Sequence, residues 1–385
     1  GRQAVNQQTM QNLALFDLLA RCWRRPAAIA DVCFTIDGSA VAFTSVDGSV
    51  AIGQVDDQEP PESRIRVSGD LGQTTIRPRE KPPAPLIASA SLEDGDVPIV
   101  AYRGSGFLVG TNAGEVMHLA PDGAIAPTSI KIDGPILALA HSARKGMTAV
   151  SDGHDVFLSR TNNERVRLEQ AASSSKHAIA STHAIAFSPD ANRLALDCGS
   201  GLSIWAVDGG LEPICEFSTP SRPASIRWSY DGSWLACGLE TGGFGLVRLA
   251  DGRSGVVGGF PSPVRNVCWS ALDNTLFASG AFRIAGWSMT APPFDHAAAG
   301  ALETGRPAAV PVETMAAHPA RDLIAAGYAN GRITLARIGS RDELVVRFSG
   351  SAITALAWSG DGQHLAVGMV DGTAAIVTFP AMLFK

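Results

Sequence analysis

Short apolar runs alternate with turns containing Gly, Asp, Asn or Pro along almost the whole chain, too closely for a helix of about ten residues to fit between them. The pattern repeats. The clearest unit, ITALAWSGDGQHLAVGMVDGTAAIVTF from Ile353, reads as three strands joined by two tight turns. Related units begin at Ile29, His183, Ala224 and Val264, and more divergent ones at Ile136 and Val312; an eighth, from Ile99, has a clear second half only. PLIASAS, from Pro85, is an alternative first strand for that copy. The last residues of the first strands are Phe34, Tyr102, Ala140, Phe187, Trp228, Trp269, Ala317 and Trp358, with steps of 68, 38, 47, 41, 41, 48 and 41 residues. Steps near 40–48 residues match a four-stranded propeller blade, with the segment before the next unit supplying the fourth strand, as at Glu216–Ser218, Gly255–Gly258 and Leu344–Phe348. One such sheet cannot bury both its faces; radial stacking buries both.

A ring has to close. The last unit ends with no residues left for a fourth strand, and LLARCWRRP, from Leu18, aligns with LVVRFSGS, from Leu344. Leu18–Trp23 is therefore expected to complete the last blade, against a rival helical reading of residues 5–20. The expected organisation is an N-terminal extension over 1–17, a single all-β propeller over 18–380 and a tail over 381–385. Eight blades are favoured over seven. Residues 54–85, rich in Pro and charge, explain the long first step. Arg64–Val67 there reads as a fourth strand and the rest as a long exposed loop, either a tolerated insertion or a surface for a partner. A second insertion, from Ser288, is Ala-rich.

The turns Asp231–Gly232, Asp361–Gly362, Asp47–Gly48 and Asn330–Gly331, the Ser188–Asp190 triplet, and Trp205 and Trp287 together resemble the WD40-repeat family over roughly residues 18–380. The repeats are divergent. The Trp-Asp positions read Trp205-Ala206 and Trp287-Ser288, and the family's Gly-His is missing. The His–Asp–Ser/Thr–Trp hydrogen-bond set that braces typical blades therefore cannot form in most blades.

Composition narrows the function. Hydrophobic residues make up 45% of the chain, which excludes a mostly disordered one, and a net charge of −6 argues against nucleic-acid binding. No apolar run is long enough for a transmembrane helix. The six Cys lack CxxC spacing and read as free thiols in a reducing, cytoplasmic compartment. Only five of the 31 basic residues are Lys, which, with high Ala and Arg, suggests a bacterial coding sequence. Metal-ligand spacings, a nucleophile elbow and phosphate loops are all missing, so neither a metal nor another cofactor is expected. LADGRSGVVGGF, from Leu249, resembles the start of a docking motif of quinoprotein dehydrogenases, but it lacks the closing Trp and a second copy.

The remaining signal is positional. Small residues precede the last residue of most first strands: Cys33, Ala101, Ala186, Cys268, Ala316 and Ala357. They suit strands crowded around a central channel, and Arg227 breaks the column. Three and four residues before the strand end, polar side chains gather: Asp31, His183, Ser225, Arg265, Asn266, Glu313, Thr314 and Thr354. These, with Arg227, are the candidate residues of a channel rim that receives a protein or peptide. The resulting expectation is a non-enzymatic scaffold using this rim and the 54–85 insertion. The alternative is a propeller enzyme, or a small-molecule or metal-binding protein, with its site at the channel mouth.

Overall fold

The computed structural model describes residues 13–168 and 184–384, apart from Leu71, Ala90, Asp94 and Asp273. It forms eight four-stranded antiparallel sheets arranged as one ring. Blade 1 runs from Ile29–Phe34 to Ile87–Ala88, blade 2 from Ile99–Ala101 to Ile125–Lys131, and blade 3 from Ala138–Ser142 to Arg165–Arg167. Blade 4 runs from Ile185–Phe187 to Glu212–Ser218, blade 5 from Pro223–Trp228 to Ser254–Val257, blade 6 from Val267–Ser270 to Ala301–Thr304, and blade 7 from Val312–Ala317 to Glu343–Arg347. Blade 8 takes three strands, Ile353–Trp358, His364–Met369 and Thr373–Thr378, from the end of the chain and its fourth, Ala20–Arg24, from the beginning.

The second strands are apolar on both sides because each blade is buried on both faces; every residue of Ala40–Ser45 and Trp234–Leu239 is buried. The core is accordingly divided among the blade interfaces. One cluster joins Val32, Val41 and Phe43 of blade 1 to Ala366, Ala374 and Ile376 of blade 8, and another joins Phe277 and Ile284 of blade 6 to Met315, Ile324 and Tyr328 of blade 7.

In place of the missing family hydrogen-bond set, two devices hold the blades. Within a blade, a Ser or Thr after the first strand bonds an Asp two residues on and caps the start of the second strand. Ser229 Oγ donates to Asp231 (2.8 Å) and accepts from Trp234 N (3.0 Å), and Ser188–Asp190 and Ser359–Asp361 repeat the arrangement. Between blades, indole N–H groups reach the small-residue column. Trp228 donates to Ala186 O, Trp269 to Arg227 O and Trp358 to Ala316 O, each at 3.0 Å and each onto the preceding blade. One such bond contributes about 1 kcal/mol.

Blades 3 and 7 have Ala140 and Ala317 instead of Trp, and there the next residue, a His, bridges. His141 Nε2 accepts from Arg103 N of blade 2, and His318 Nε2 donates to Gly362 O of blade 8 at 3.0 Å. His318 Nδ1 accepts from Ala320 N and Arg321 N, so the ring is the neutral Nε2–H tautomer. Gly362, at φ +71°, lies so close that a Cβ there would sit 2.3 Å from the imidazole.

Several expectations are corrected. Leu15–Leu19 is a short helix, so the closing strand begins at Ala20 rather than Leu18. The fourth strand of blade 1 is Ile87–Ala88, from the stretch considered above as a first strand of blade 2. Ile65–Val67 instead pairs with Thr74–Ile76 in a separate hairpin. The turn from Leu249 joins the last two strands of blade 5. Ala381–Phe384 packs as a short 3-10 turn, with Phe384 5.6 Å from the His318 ring.

The insertion is not a loose loop. Arg21, 5% exposed on the closing strand, donates to Val55 O (2.7 Å), Gln54 O (2.9 Å) and Asp56 O (3.3 Å) and lies 3.6 Å from Asp57. Asp57 takes both Nη groups of Arg79, at 2.7 and 3.0 Å. Burial alone would raise the Asp57 carboxyl, but these bonds, the Glu59 N–H and the Arg21 charge hold it below its ordinary value. Arg64, almost fully buried, donates to Glu59 O and Arg77 O, and Trp23 Nε1 donates to Ala84 O. The second insertion likewise turns back on the preceding blade, with Phe294 against Trp234 and beneath Arg248 and Arg253 of blade 5.

Replacing Arg21 by Met strips three carbonyls of their donor, the Val55 carbonyl in a fully buried bond, and is expected to destabilise the protein by about 2–4 kcal/mol in denaturant unfolding. An unchanged midpoint would remove the closing role assigned to Arg21. Burial lowers the pKa of His318 below its ordinary value, with Arg321 acting in the same direction and the Gly362 carbonyl and Asp361 opposing. The unfolded chain therefore binds a proton first. The stability that depends on neutral His318 is complete above about pH 6.5 and is lost as pH falls through the folded-state value. His318→Gln, which keeps a donor for Gly362 O, should flatten the stability loss between about pH 7 and pH 5, above the range where carboxylates titrate.

Candidate functional site

The first strands of all eight blades surround a central channel, which opens into a cavity of about 950 Å³. Of the polar candidates, Asp31, Ser225, Arg227, Arg265, Asn266, Glu313, Thr314 and Thr354 all line it. His183 lies outside the described residues. The small residues Cys33, Ala101, Ala140 and Ala357 line the same space, while Ala186 and Ala316 contribute the carbonyls that receive Trp228 and Trp358.

The mouth is shaped by a feature invisible in the sequence. In blades 1, 5, 7 and 8 the pairing of the first two strands slips at the same place, between Ile29 and Asp31, Pro223 and Ser225, Val312 and Thr314, and Ile353 and Ala355. Each slip leaves one extra residue, Ala30, Ala224, Glu313 or Thr354, and all four line the cavity. Bulges of this kind bend a strand and redirect its side chains, which is why polar residues both three and four positions before the strand end share one rim.

The wall has two unlike halves. Blades 2, 3 and 4 contribute Val97, Pro98, Ile99, Leu137, Leu139 and Ile185. Blades 5, 6, 7 and 1 contribute Arg227, Arg265, Glu313 and Asp31. Ile99 is the buried core its run suggests, whereas Leu137, in a run that also reads as core, is 39% exposed to the channel, and His141 of blade 3 lines the same side. Asp31 accepts from its neighbour's Val32 N–H at 2.8 Å. The protein around it nevertheless raises its pKa: loss of water is the main cause, Asp96 adds to it, and the Val32 N–H and Arg227 oppose it. Asn266 is structural as well as exposed to the channel, its Oδ1 accepting from Met315 N of the next blade at 2.9 Å.

The column of small residues carries two thiols, of which Cys33 lines the cavity. Burial pushes Cys33 and Cys268 up to about 12, with Asp31 adding to the first and the Ala317 N–H and Arg227 opposing at the second. Neither is a thiolate near neutral pH. Among the described residues, no group of three or more His, Cys, Asp or Glu side chains is placed to hold a metal ion. No described helix is long and apolar enough to cross a membrane.

Eight four-stranded sheets closed by the N-terminal strand make the chain a β-propeller. Residues 315–380, in blades 7 and 8, match the family described as the anaphase-promoting complex subunit 4 WD40 domain. The chain is similar in fold to the crystal structure of the C-terminal WD40 domain of Sif2, with 12% identity and a TM-score of 0.61 over 92% of this chain and 97% of that one. It is also similar to the structure of U3-55K, with 14% identity and a TM-score of 0.54 over 94% of this chain and 98% of that one. None of the curated protein sequences compared with the chain matches it.

Arg227 occupies a column held elsewhere by Ala and Cys, and the one hydrogen bond of its side chain among the described residues goes to the carbonyl of its neighbour Ile226. Arg227→Ala should therefore leave stability within about 0.5 kcal/mol of the parent in denaturant unfolding. A larger loss would make Arg227 a structural residue.

Proposed function

We propose that the protein is a non-enzymatic scaffold that presents the channel rim, together with the hairpin of the insertion, to another protein. The observation that carries this reading is the rim itself. Four recurrent bulges and eight polar side chains from five blades converge on one concave mouth, and the lining offers no activated nucleophile. Rigid scaffolds that gather residues from many loops and strand ends suit recognition of extended partners. Within the insertion, Val67 at the hairpin end is 68% exposed while the base is clamped by Arg21, so the hairpin is a fixed projection rather than a flexible arm.

Affinity purification with the parent chain and with an Arg265→Glu, Glu313→Arg double variant tests the reading. A partner retained by the parent and lost by the folded double variant is the expected result. Stoichiometric metal in the purified protein without a stable partner, or a partner indifferent to the rim, would overturn it.

A further inference from the structure

The rim reading leaves open what the partner must look like, and the channel wall narrows it. Its charged half holds two guanidinium groups, Arg227 on blade 5 and Arg265 on blade 6. A guanidinium carries five N–H donors. Arg227 uses one of them on Ile226 O, and Arg265 makes no hydrogen bond among the described residues. Two carboxylates, Asp31 and Glu313, are within the same cavity, yet none of the described ion pairs involves any of these four side chains. The contrast with the insertion is sharp, where Arg21, Arg77 and Arg79 are all paired.

The two guanidiniums sit on neighbouring blades, whereas the carboxylates sit on blades 7 and 1 with blade 8 between them. The lining thus offers an acidic group two unpaired guanidiniums on adjacent blades, while its carboxylates are separated by blade 8. Opposite this half, Leu137, exposed beside the buried core residues Ile99 and Leu139, offers an apolar surface that only another apolar group covers without cost.

We propose that the channel mouth recognises an amphipathic peptide segment, with an acidic side chain drawn to Arg227 and Arg265 and an apolar side chain laid against Leu137. This rests on the scaffold reading and supplies its partner's chemistry. Charge-assisted bonds to a guanidinium fix the acid's position, and the apolar half fixes the peptide's orientation around the ring.

The test is selection of a random octapeptide display library on the immobilised full chain. The most enriched sequences are then synthesised in Glu, Gln and Lys versions and measured by fluorescence polarisation. Enriched sequences should carry an acidic residue beside apolar ones, and the Glu version should bind about 10-fold or more tightly than the Gln version. Arg227→Ala and Arg265→Gln should each reduce that preference, and Leu137→Asp should weaken both versions. Glu313→Gln should leave the preference intact, which controls for loss of fold. Failure to enrich any sequence, enrichment of basic sequences, or an acid preference that survives both Arg substitutions overturns the proposal. Where a native partner still requires the rim but ignores Arg227→Ala, this inference falls and the scaffold reading stands. A partner indifferent to every rim substitution sinks the scaffold reading itself.

Discussion

Everything in this molecule depends on the pairing of Ala20–Arg24 with Thr373–Thr378, because a ring of sheets has no covalent bond across its closure. Each blade buries its faces only against its neighbours, so an open ring would expose two apolar faces at once. The closing strand brings a charged residue, Arg21, into that junction, and burial of a cation there is tolerated only because three carbonyls and Asp57 surround it. Those partners come from the beginning of the insertion. The insertion is therefore part of the closure: removing it would leave a buried guanidinium without its partners in the strand that holds the ring shut.

The same economy appears between the blades. A tryptophan at the end of one first strand needs an acceptor on the blade before it, and the acceptors are backbone carbonyls at Ala186, Arg227 and Ala316. These lie in the column of small residues around the axis. Small side chains let the inner strands approach closely enough for an indole to reach across, so channel width and blade cohesion are set by one choice of residues. Arg227 satisfies the first requirement through its backbone while its side chain occupies the channel, which separates its structural contribution from anything its guanidinium does.

Much of this was legible in the sequence, because strand period and turn chemistry are local. The spacing of Phe34, Phe187, Trp228, Trp269 and Trp358 fixed the ring, and the likeness of LLARCWRRP to LVVRFSGS located the closing strand to within two residues. Counting back from strand ends found eight residues that do line the channel. The misses involve pairings that strand period alone does not decide. Arg64–Val67 looked like an outer strand because its apolar alternation is real, but Arg64 is drawn toward Glu59 and Arg77 and the strand pairs with Thr74–Ile76. The apolar side of the channel was hidden because Leu137 has the same local pattern as buried core, yet it is exposed to the channel.

The division of the wall follows from how the repeats diverged. Blades 5, 7 and 8 have six-residue first strands, and Trp228, Trp269 and Trp358 of blades 5, 6 and 8 supply the inter-blade indole bonds, whereas the first strands of blades 2 and 4 span three residues each. Strong cohesion on one side of the ring leaves that side free to carry features that cost stability, including bulges and a guanidinium in the channel. The weaker blades hold themselves together with apolar side chains that also reach the channel. A wall made charged where the scaffold is strong and apolar where it is weak needs no separate explanation for its two halves. What the scaffold does not require is that Arg227 and Arg265 stand unpaired in the same cavity as Asp31 and Glu313, because ion pairs of the kind formed around Asp57 would have stabilised it more. That unused pairing capacity is the part of the channel that structural stability does not account for.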